Sequence, residues 1–209
     1  MPASLAAGTF LIASPHLDNL GTDEGGDPHF NRTVVLLLQH QPDEGTIGVV
    51  INRPLGKDIK LYTNEALKRL TDGLQNIQEI SSEPASLFFQ GGPVQRNALI
   101  FLHQLEDFIE DSTEICDGIF AGGELESVGT HAALANAEKP ILRFYLGFAS
   151  WGIGQLEDEI LQRDSWILCP GSADIVFSSD PETIWQRALH ALGHKYRPMS
   201  FIPEGLQEN

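Results

Sequence analysis

The chain has 209 residues, with 13 basic and 29 acidic side chains, and its formal net charge at pH 7 is −16. A charge of this sign repels phosphate backbones and anionic membrane surfaces, which argues against nonspecific binding to nucleic acid or membranes. Hydrophobic residues make up 42% of the sequence and charged residues 20%, so the composition is that of a globular protein able to bury one large core.

Targeting signals and cysteine usage point to the cytoplasm. No apolar run approaches the roughly 20 residues that a membrane-spanning helix needs. The first seven residues lack the basic region of a signal peptide. The two cysteines, Cys116 and Cys169, are too few and too far apart for a disulfide framework or a cysteine-based zinc site. Both lie in apolar stretches, which favours buried, reduced thiols.

In the first half of the chain, apolar runs broken by glycine and proline predict β-strands. The runs cover residues 8–15, 30–40, 46–51, 87–94 and 98–103. A turn with Pro42 and Gly45 joins the second and third, which predicts a hairpin. A tight glycine turn ends the fourth run, so the fourth and fifth strands are also expected to pair. Thr63 is a suitable N-cap for a short helix that ends at Gly73.

Residues 140–163 organise the second half of the chain. Their first part, 141–151, is apolar enough for a buried strand, and its one charged side chain is Arg143. Glycines at the end of this strand allow a sharp reversal into a helix. Three acids at 157–159 suit the first turn of that helix, and its inward stripe is predicted to be formed by Leu156, Ile160 and Leu161.

The remaining elements follow from shorter patterns. A short strand is predicted over 115–120, followed by a helix with Leu125, Val128, Ala132 and Ala135 at spacings of three and four, and then a strand over 165–170. The run Asp180-Pro-Glu starts a last helix, with an inward face made of Ile184, Trp185, Ala188, Leu189 and Leu192 and an end at Gly193. The tail from 197 to 209 has two prolines and no periodicity, which predicts disorder.

Five motifs occur in the order and approximate spacing of one known family. They read GTFLIASP, GVVINRP, GGPV, DG and WGIGQLE, at residues 8–15, 48–54, 91–94, 117–118 and 151–157. Taken together they resemble the YqgE/AlgH family of uncharacterised bacterial proteins, and the resemblance spans residues 8 to 193. Members typically show Tyr-Ala-Gly-Trp where this chain has Phe148-Ala-Ser-Trp151, so no role of that tyrosine or glycine is carried over.

The resemblance implies one α+β domain over residues 1–209, with its core at 8–193. It implies a bifurcated, mostly antiparallel sheet curled into a pseudo-barrel with helices packed outside, and it implies no settled activity. Some members carry the label of transcriptional regulators. Direct DNA binding by this chain is disfavoured by its net charge of −16.

The polar and glycine residues of the matched motifs are the candidate ligand-binding residues. They are Asn52, Arg53, Gly91, Gly92, Arg143, Trp151, Gly152, Gly154 and Gln155. A guanidinium in an apolar strand must find a partner, and a helix N-terminus after a glycine turn offers N–H groups to an anion. Two interpretations remain open: the arginines form structural pairs or backbone tethers, or they converge on an anion or a peptide.

Metal and nucleophile sites are weaker alternatives. His190 and His194 are four apart, but the glutamate of the zinc-binding motif is absent, and the acids Asp23, Glu24 and Asp27 do not have calcium-loop spacing. The sequence thus predicts no metal site and no cofactor.

Catalysis is likewise not indicated by any motif. Ser150 does not lie in a Gly-x-Ser-x-Gly turn, and a structural role is favoured for it. The sequence favours a non-enzymatic binding or regulatory protein that recognises a protein partner or a small anionic ligand. The alternative is a small hydrolase with an unrecognised site. A serine or cysteine within hydrogen-bond reach of a histidine would favour this alternative.

Overall fold

A computed structural model describes residues 4–15, 29–55, 88–124, 127 and 141–202 of the chain. The helix predicted from Thr63, most of the one containing Leu125 and the last seven residues of the tail lie outside these ranges.

Nine strands and three α-helices make up the described part. The strands are β1 (Thr9–Ala13), β2 (Val34–Gln41), β3 (Gly45–Val50), β4 (Phe88–Gln90), β5 (Val94–His103), β6 (Thr113–Cys116), β7 (Ile119–Ala121), β8 (Leu142–Trp151) and β9 (Trp166–Pro170). The helices are α1 (Gln155–Leu161), α2 (Ala173–Val176) and α3 (Ile184–Ala191), and two 3-10 helices cover Pro181–Thr183 and Arg197–Phe201. None of these helices is both long and apolar enough to span a membrane.

The sheet branches at β8, the strand at the centre of the organising stretch. The order along the main path is β6-β7-β5-β8-β3-β2-β1-β9, and β4 pairs with β8 off this path. One edge of β8 pairs with β5 antiparallel, while the other edge pairs first with β4 in parallel and then with β3 antiparallel. This confirms an α+β fold with a mostly antiparallel sheet, which curls into a half-barrel.

The curl brings the two ends of the sheet path together. Cys116 at the end of β6 packs against Gly8 and Gly171, which flank β1 and β9 at the opposite end of the path. A Cβ on Gly8 would lie 2.7 Å from the Cβ of Cys116, and one on Gly171 would lie 3.2 Å from its Sγ. The absence of side chains at both glycines therefore allows the ends to meet.

The helices cover both faces of the sheet. One core cluster contains residues from most strands, including Phe10, Leu36 and Tyr145, and it receives the predicted apolar face of α3. The other cluster lies on the opposite face of β1 to β3 and receives Leu156 of α1. The burial of Trp185 is confirmed, because only 1% of its surface is exposed and its indole N–H donates to Ala13 O at 2.9 Å.

Two predictions about strand pairing were wrong. β4 and β5 do not pair with each other, because β8 lies between them and pairs with both. The single strand predicted over 115–120 is a hairpin of β6 and β7, since Gly118 at a φ of 72° reverses the chain.

One of the three residues predicted for the inward stripe of α1 is exposed. Leu161 is 80% exposed because α1 ends there, whereas Leu156 is fully buried and Ile160 packs against the same cluster, as predicted. At the start of the tail, Arg197–Phe201 forms a 3-10 helix that packs on α3 through a contact between Ser200 and His190, and the expectation for residues 203–209 lies outside the described ranges.

Candidate functional site

The Gly91–Gly92 segment passes directly over the backbone of β8 at Gly147. A Cβ on Gly91 would lie 2.2 Å from Gly147 O, and one on Gly92 would lie 2.2 Å from the carbonyl carbon of Phe148. A Cβ on Gly147, whose φ is 74°, would lie 2.6 Å from Gly92 O. The lack of side chains at these glycines therefore allows two backbones to cross in close contact. Gly91 N donates to Leu146 O, and Gly91 O accepts from Val50 N.

Asn52 and Arg53 hold the segment that leads into β2. The Asn52 Oδ1 accepts a hydrogen bond from Val34 N at 2.8 Å, and its Nδ2 donates to Arg32 O at 2.9 Å. The Arg53 guanidinium donates to Asn31 O, and Arg53 O accepts from Gln90 N at 2.8 Å. Both side chains thus act as backbone tethers, as the structural interpretation of the sequence expects.

Arg143 is a buried guanidinium with neutral partners. Its Nη1 donates to Val176 O and its Nη2 to Ser178 O, and its charged group lies 4.6 Å from the centre of the Phe89 ring. Only 1% of its surface is exposed. In the described part of the chain no carboxylate pairs with it, so its positive charge is held by carbonyl dipoles and an aromatic face alone.

Tyr145 lies beside Arg143 on the same face of β8. Burial raises the pKa of the Tyr145 hydroxyl to about 12, and the neighbouring guanidinium opposes this shift only in part. Burial likewise lowers the pKa of Arg143. The two groups are close enough to affect each other's pKa, but the Arg143 Nε and the Tyr145 hydroxyl do not meet the geometry of a hydrogen bond with each other or with any other group of the described residues.

A second arginine reaches the same residue as Arg143. Arg187, an exposed residue of α3, donates from Nη1 to the hydroxyl oxygen of Ser178, whose carbonyl binds Arg143. The Ser178 hydroxyl also accepts from Asp180 N at 3.3 Å. We call this arrangement of Arg143, Ser178 and Arg187 the Ser178 site.

Sequence reasoning missed Ser178 and Arg187 as parts of this site. The available signal was the short Ser178-Ser-Asp180 run between an apolar segment and a well-defined helix start, because such turn residues hydrogen bond to nearby backbone. Nothing in that run indicates which arginines it meets.

The turn after β8 is closed by its own side chains. Gly152 N donates to the Gln155 Oε1 at 3.0 Å, and the Gln155 Nε2 donates to the Glu159 Oε1 at 3.0 Å. The other oxygen of Glu159 accepts from the indole N–H groups of Trp151 at 3.0 Å and Trp166 at 2.8 Å. The polar groups of this turn are thus bound to one another, an arrangement that fixes α1 on the ends of β8 and β9. Gly154 adopts a φ of 73° there.

The predicted ligand-binding residues form two separate groups. Asn52 and Arg53 follow β3 and lie beside β4, where Arg53 O accepts from Gln90 N, and Gly91 and Gly92 follow β4 directly. Arg143 stacks on Phe89 of β4. Trp151, Gly152, Gly154 and Gln155 lie at the far end of β8. Arg143 and Trp151 are eight residues apart along this strand, a span of about 25 Å. Arg143 therefore cannot share a small ligand with the turn.

A family model described as AlgH-like matches residues 10–197 of the chain. The chain belongs to the AlgH-like family.

Curated relatives match almost the whole AlgH-like chain. A UPF0301 protein of Chlamydia caviae is 34% identical over 207 residues, which cover 99% of this chain and 97% of the relative. A UPF0301 protein of Cytophaga hutchinsonii is 34% identical over 200 residues, which cover 95% and 96% of the two chains.

Solved structures have the same fold. The solution structure of the AlgH protein from Pseudomonas aeruginosa matches with a TM-score of 0.61 and 27% identity, over 97% of this chain and 98% of that one. A crystal structure of a Corynebacterium diphtheriae protein matches with a TM-score of 0.67 and 17% identity, over 97% and 95% of the two chains. At that identity the second match shows the fold alone.

The cysteines and the serine considered as nucleophiles in this AlgH-like chain lack, among the described residues, the environment that would activate them. Burial raises the pKa of Cys116 and of Cys169, and Asp117 and Glu114 raise that of Cys116 further, so neither thiol is activated. Ser150 is exposed on β8, and no described histidine binds it.

One serine does lie within hydrogen-bond reach of a histidine near the C-terminal end. The His190 Nε2 is 2.7 Å from the Ser200 hydroxyl, but this hydroxyl donates to Arg197 O at 2.7 Å. The histidine then acts as donor, which is the wrong direction for a general base. Across the described ranges, no three His, Cys, Asp or Glu side chains are grouped as metal ligands would be.

Proposed function

We propose that this AlgH-like protein is a non-enzymatic binding protein that recognises an anionic group of a ligand or partner at the Ser178 site. One observation carries the proposal: Arg143 and Arg187 both bind Ser178, and neither pairs with a carboxylate of the described residues. In a chain with more than twice as many acids as bases, two guanidinium groups that meet at one serine and have no carboxylate partner among the described residues are unexpected.

The site divides into a buried and an accessible half. Arg143 is fully buried and fixed by two carbonyl groups, so it supplies positive charge from within the protein. Arg187 is exposed and uses one donor on the Ser178 hydroxyl, which leaves guanidinium N–H groups for a carboxylate or phosphate oxygen. An anion bound there would offset the charge of both groups.

The overall charge of the protein limits the size of this ligand. Repulsion from the acidic surface is screened over about 8 Å at physiological ionic strength, so a small anionic group at the Ser178 site escapes most of it. A duplex or a membrane surface would extend far beyond that distance and meet the acids. The proposal is therefore a small anion or a single anionic side chain, and not a polyanion.

The test is a thermal-shift panel with inorganic phosphate, sulfate and citrate at millimolar concentrations. We expect a saturable rise in melting temperature for at least one anion, because a ligand that binds only the folded state stabilises it. Arg187→Gln should abolish the rise, whereas Arg96→Gln, which changes an exposed arginine of β5, should leave it intact.

The turn predicted from the sequence as an anion site supplies the competing outcome. Gly154→Val should not change the response to anions if the Ser178 site binds them. A response that disappears with Gly154→Val and survives Arg187→Gln would move the site to the turn. No saturable response in the panel would contradict the proposal as a whole.

A further inference from the structure

The last twenty described residues differ sharply in charge from the rest of the protein. Residues 183–202 contain Arg187, Lys195 and Arg197 and no aspartate or glutamate. Because this segment contributes +3 to the net charge of −16, the remaining residues carry −19. Because surface charges of both signs are normally interspersed, a segment whose only charges are positive is a candidate interaction surface for an acidic partner.

Apolar side chains are exposed in the same segment. Phe201 is 70% exposed and Ile202 is 41% exposed, which makes them two of the few large hydrophobic residues at the described surface. Lys195 and Arg197 are exposed in the same segment, and Phe201 lies 5.7 Å from the ring of His190. We call this set the C-terminal surface: His190, Lys195, Arg197, Phe201 and Ile202.

The C-terminal surface is held in place from two sides. His190 binds the Ser200 hydroxyl at 2.7 Å, which ties the 3-10 helix to α3. Arg32 donates from Nη2 to Ile202 O at 2.8 Å and lies 4.9 Å from the ring centre of the buried Trp185. A surface fixed in this way loses little conformational entropy when a partner binds.

We infer that the C-terminal surface binds an acidic protein segment that carries a large apolar side chain. The cations match the charge of such a segment, and Phe201 and Ile202 provide contacts for the apolar side chain. A second copy of this chain fits poorly, because two molecules of charge −16 repel each other. A short segment interacts only with charges within the screening length of the C-terminal surface. A membrane or a DNA duplex extends beyond that length and would also meet the acidic residues of the rest of the protein.

This inference goes beyond the proposed anion site. Arg187 is counted in the charge of residues 183–202, but the C-terminal surface shares no residue with the Ser178 site, so either proposal can fail alone. The probe is a displayed library of random 12-residue peptides, selected on the immobilised full chain. We expect the enriched peptides to combine several acids with a large apolar residue. A synthetic copy of the most enriched peptide is then measured by fluorescence anisotropy at low and high salt, where binding should weaken as salt rises.

Variants locate the binding. The double change Lys195→Glu and Arg197→Glu should lower the affinity about tenfold or more, and Phe201→Ser should also lower it. Arg96→Glu, an exposed charge reversal on β5, should leave the affinity within about twofold. Unchanged melting temperatures will show that the variants remain folded.

Four results would overturn the inference. These are a library without enrichment, enriched peptides without acids, full affinity in the double variant, and tighter binding to anionic vesicles or duplex DNA than to the peptide. The inference would also be overturned if the peptide bound only to a chain truncated after Ile202. That result would mean that the last residues of the chain itself, which include Glu204 and Glu208, occupy the C-terminal surface.

Discussion

The backbone crossing on β8 makes a quantitative prediction about two glycines with the same backbone conformation. Gly147 has a φ of 74° and Gly154 a φ of 73°, both in the left-handed region. A Cβ on Gly147 would lie 2.6 Å from Gly92 O and 2.9 Å from Val94 O, whereas one on Gly154 would meet nothing within 4 Å. Alanine at the two positions therefore separates the cost of backbone conformation from the cost of close approach.

The expected magnitudes follow from these surroundings. An alanine in the left-handed region costs about 1–2 kcal/mol, which should be the whole effect of Gly154→Ala. Gly147→Ala carries the same cost and also pushes a methyl group into two carbonyl oxygens of a packed backbone. Overpacking of this kind costs about 1–3 kcal/mol, so Gly147→Ala should be the more destabilising variant by that amount.

Urea denaturation followed by far-UV circular dichroism measures both free energies of unfolding. The dependence of the unfolding free energy on urea concentration should have the same slope in each variant as in the wild type. A change in the urea concentration at the midpoint then reports a change in stability. Equal losses of unfolding free energy in the two variants would refute a close backbone crossing at Gly147. They would show that only the backbone conformation of Gly147 contributes to stability.

Two further predictions concern the core. Trp185→Ala should lower the free energy of unfolding by about 3–5 kcal/mol, because it leaves a cavity in the core and removes the hydrogen bond to Ala13 O. Urea denaturation measures this loss, and a value below about 1 kcal/mol would mean that α3 is peripheral. His103 is buried and neutral, its Nδ1 accepts from Leu105 N and its Nε2 donates to Gly122 O, and burial lowers its pKa. The unfolded state then binds the proton more readily, so the contribution of His103 to stability is complete above about pH 6.5 and declines as the pH falls through its lowered pKa. The difference in unfolding free energy between wild type and His103→Gln should shrink towards pH 5; a difference that does not change with pH would contradict this.

Patterns that report burial and local turns were enough to predict most elements of the described sheet. The hairpin of β2 and β3 could be predicted because Pro42 and Gly45 specify their own turn, as the antiparallel pairing confirms. The buried face of α3 could be predicted because helical spacing determines which of its side chains share a face.

The pairing of β4 and β5 could not be predicted from local pattern. A glycine pair between two apolar runs is typical of a hairpin, and here Gly91 and Gly92 instead carry the chain across β8. β8 follows some fifty residues later and inserts between the two strands, so the decisive contact is nonlocal. Glycine composition alone does not distinguish a tight turn from a close crossing of backbones.

The sequence predicted that Arg143 needs a partner, but not which one. Its partners are the carbonyl groups of Val176 and Ser178, and any residue could supply a carbonyl. The convergence of Arg187 on Ser178 depends on how α3 packs against the sheet, which the pattern of apolar residues leaves open. The proposed recognition of an anion at this site therefore depends on tertiary contacts that local sequence patterns do not specify.

The most direct test of anion recognition is an NMR titration of the arginine Nε–Hε signals with inorganic phosphate, in uniformly labelled protein. If the Ser178 site binds the anion, the Arg187 signal should move with a saturable dependence on phosphate, and the exposed Arg96 signal should move little and without saturation. Unsaturable shifts of similar size at both arginines would show nonspecific screening, and they would contradict the account of this protein as an anion-binding protein.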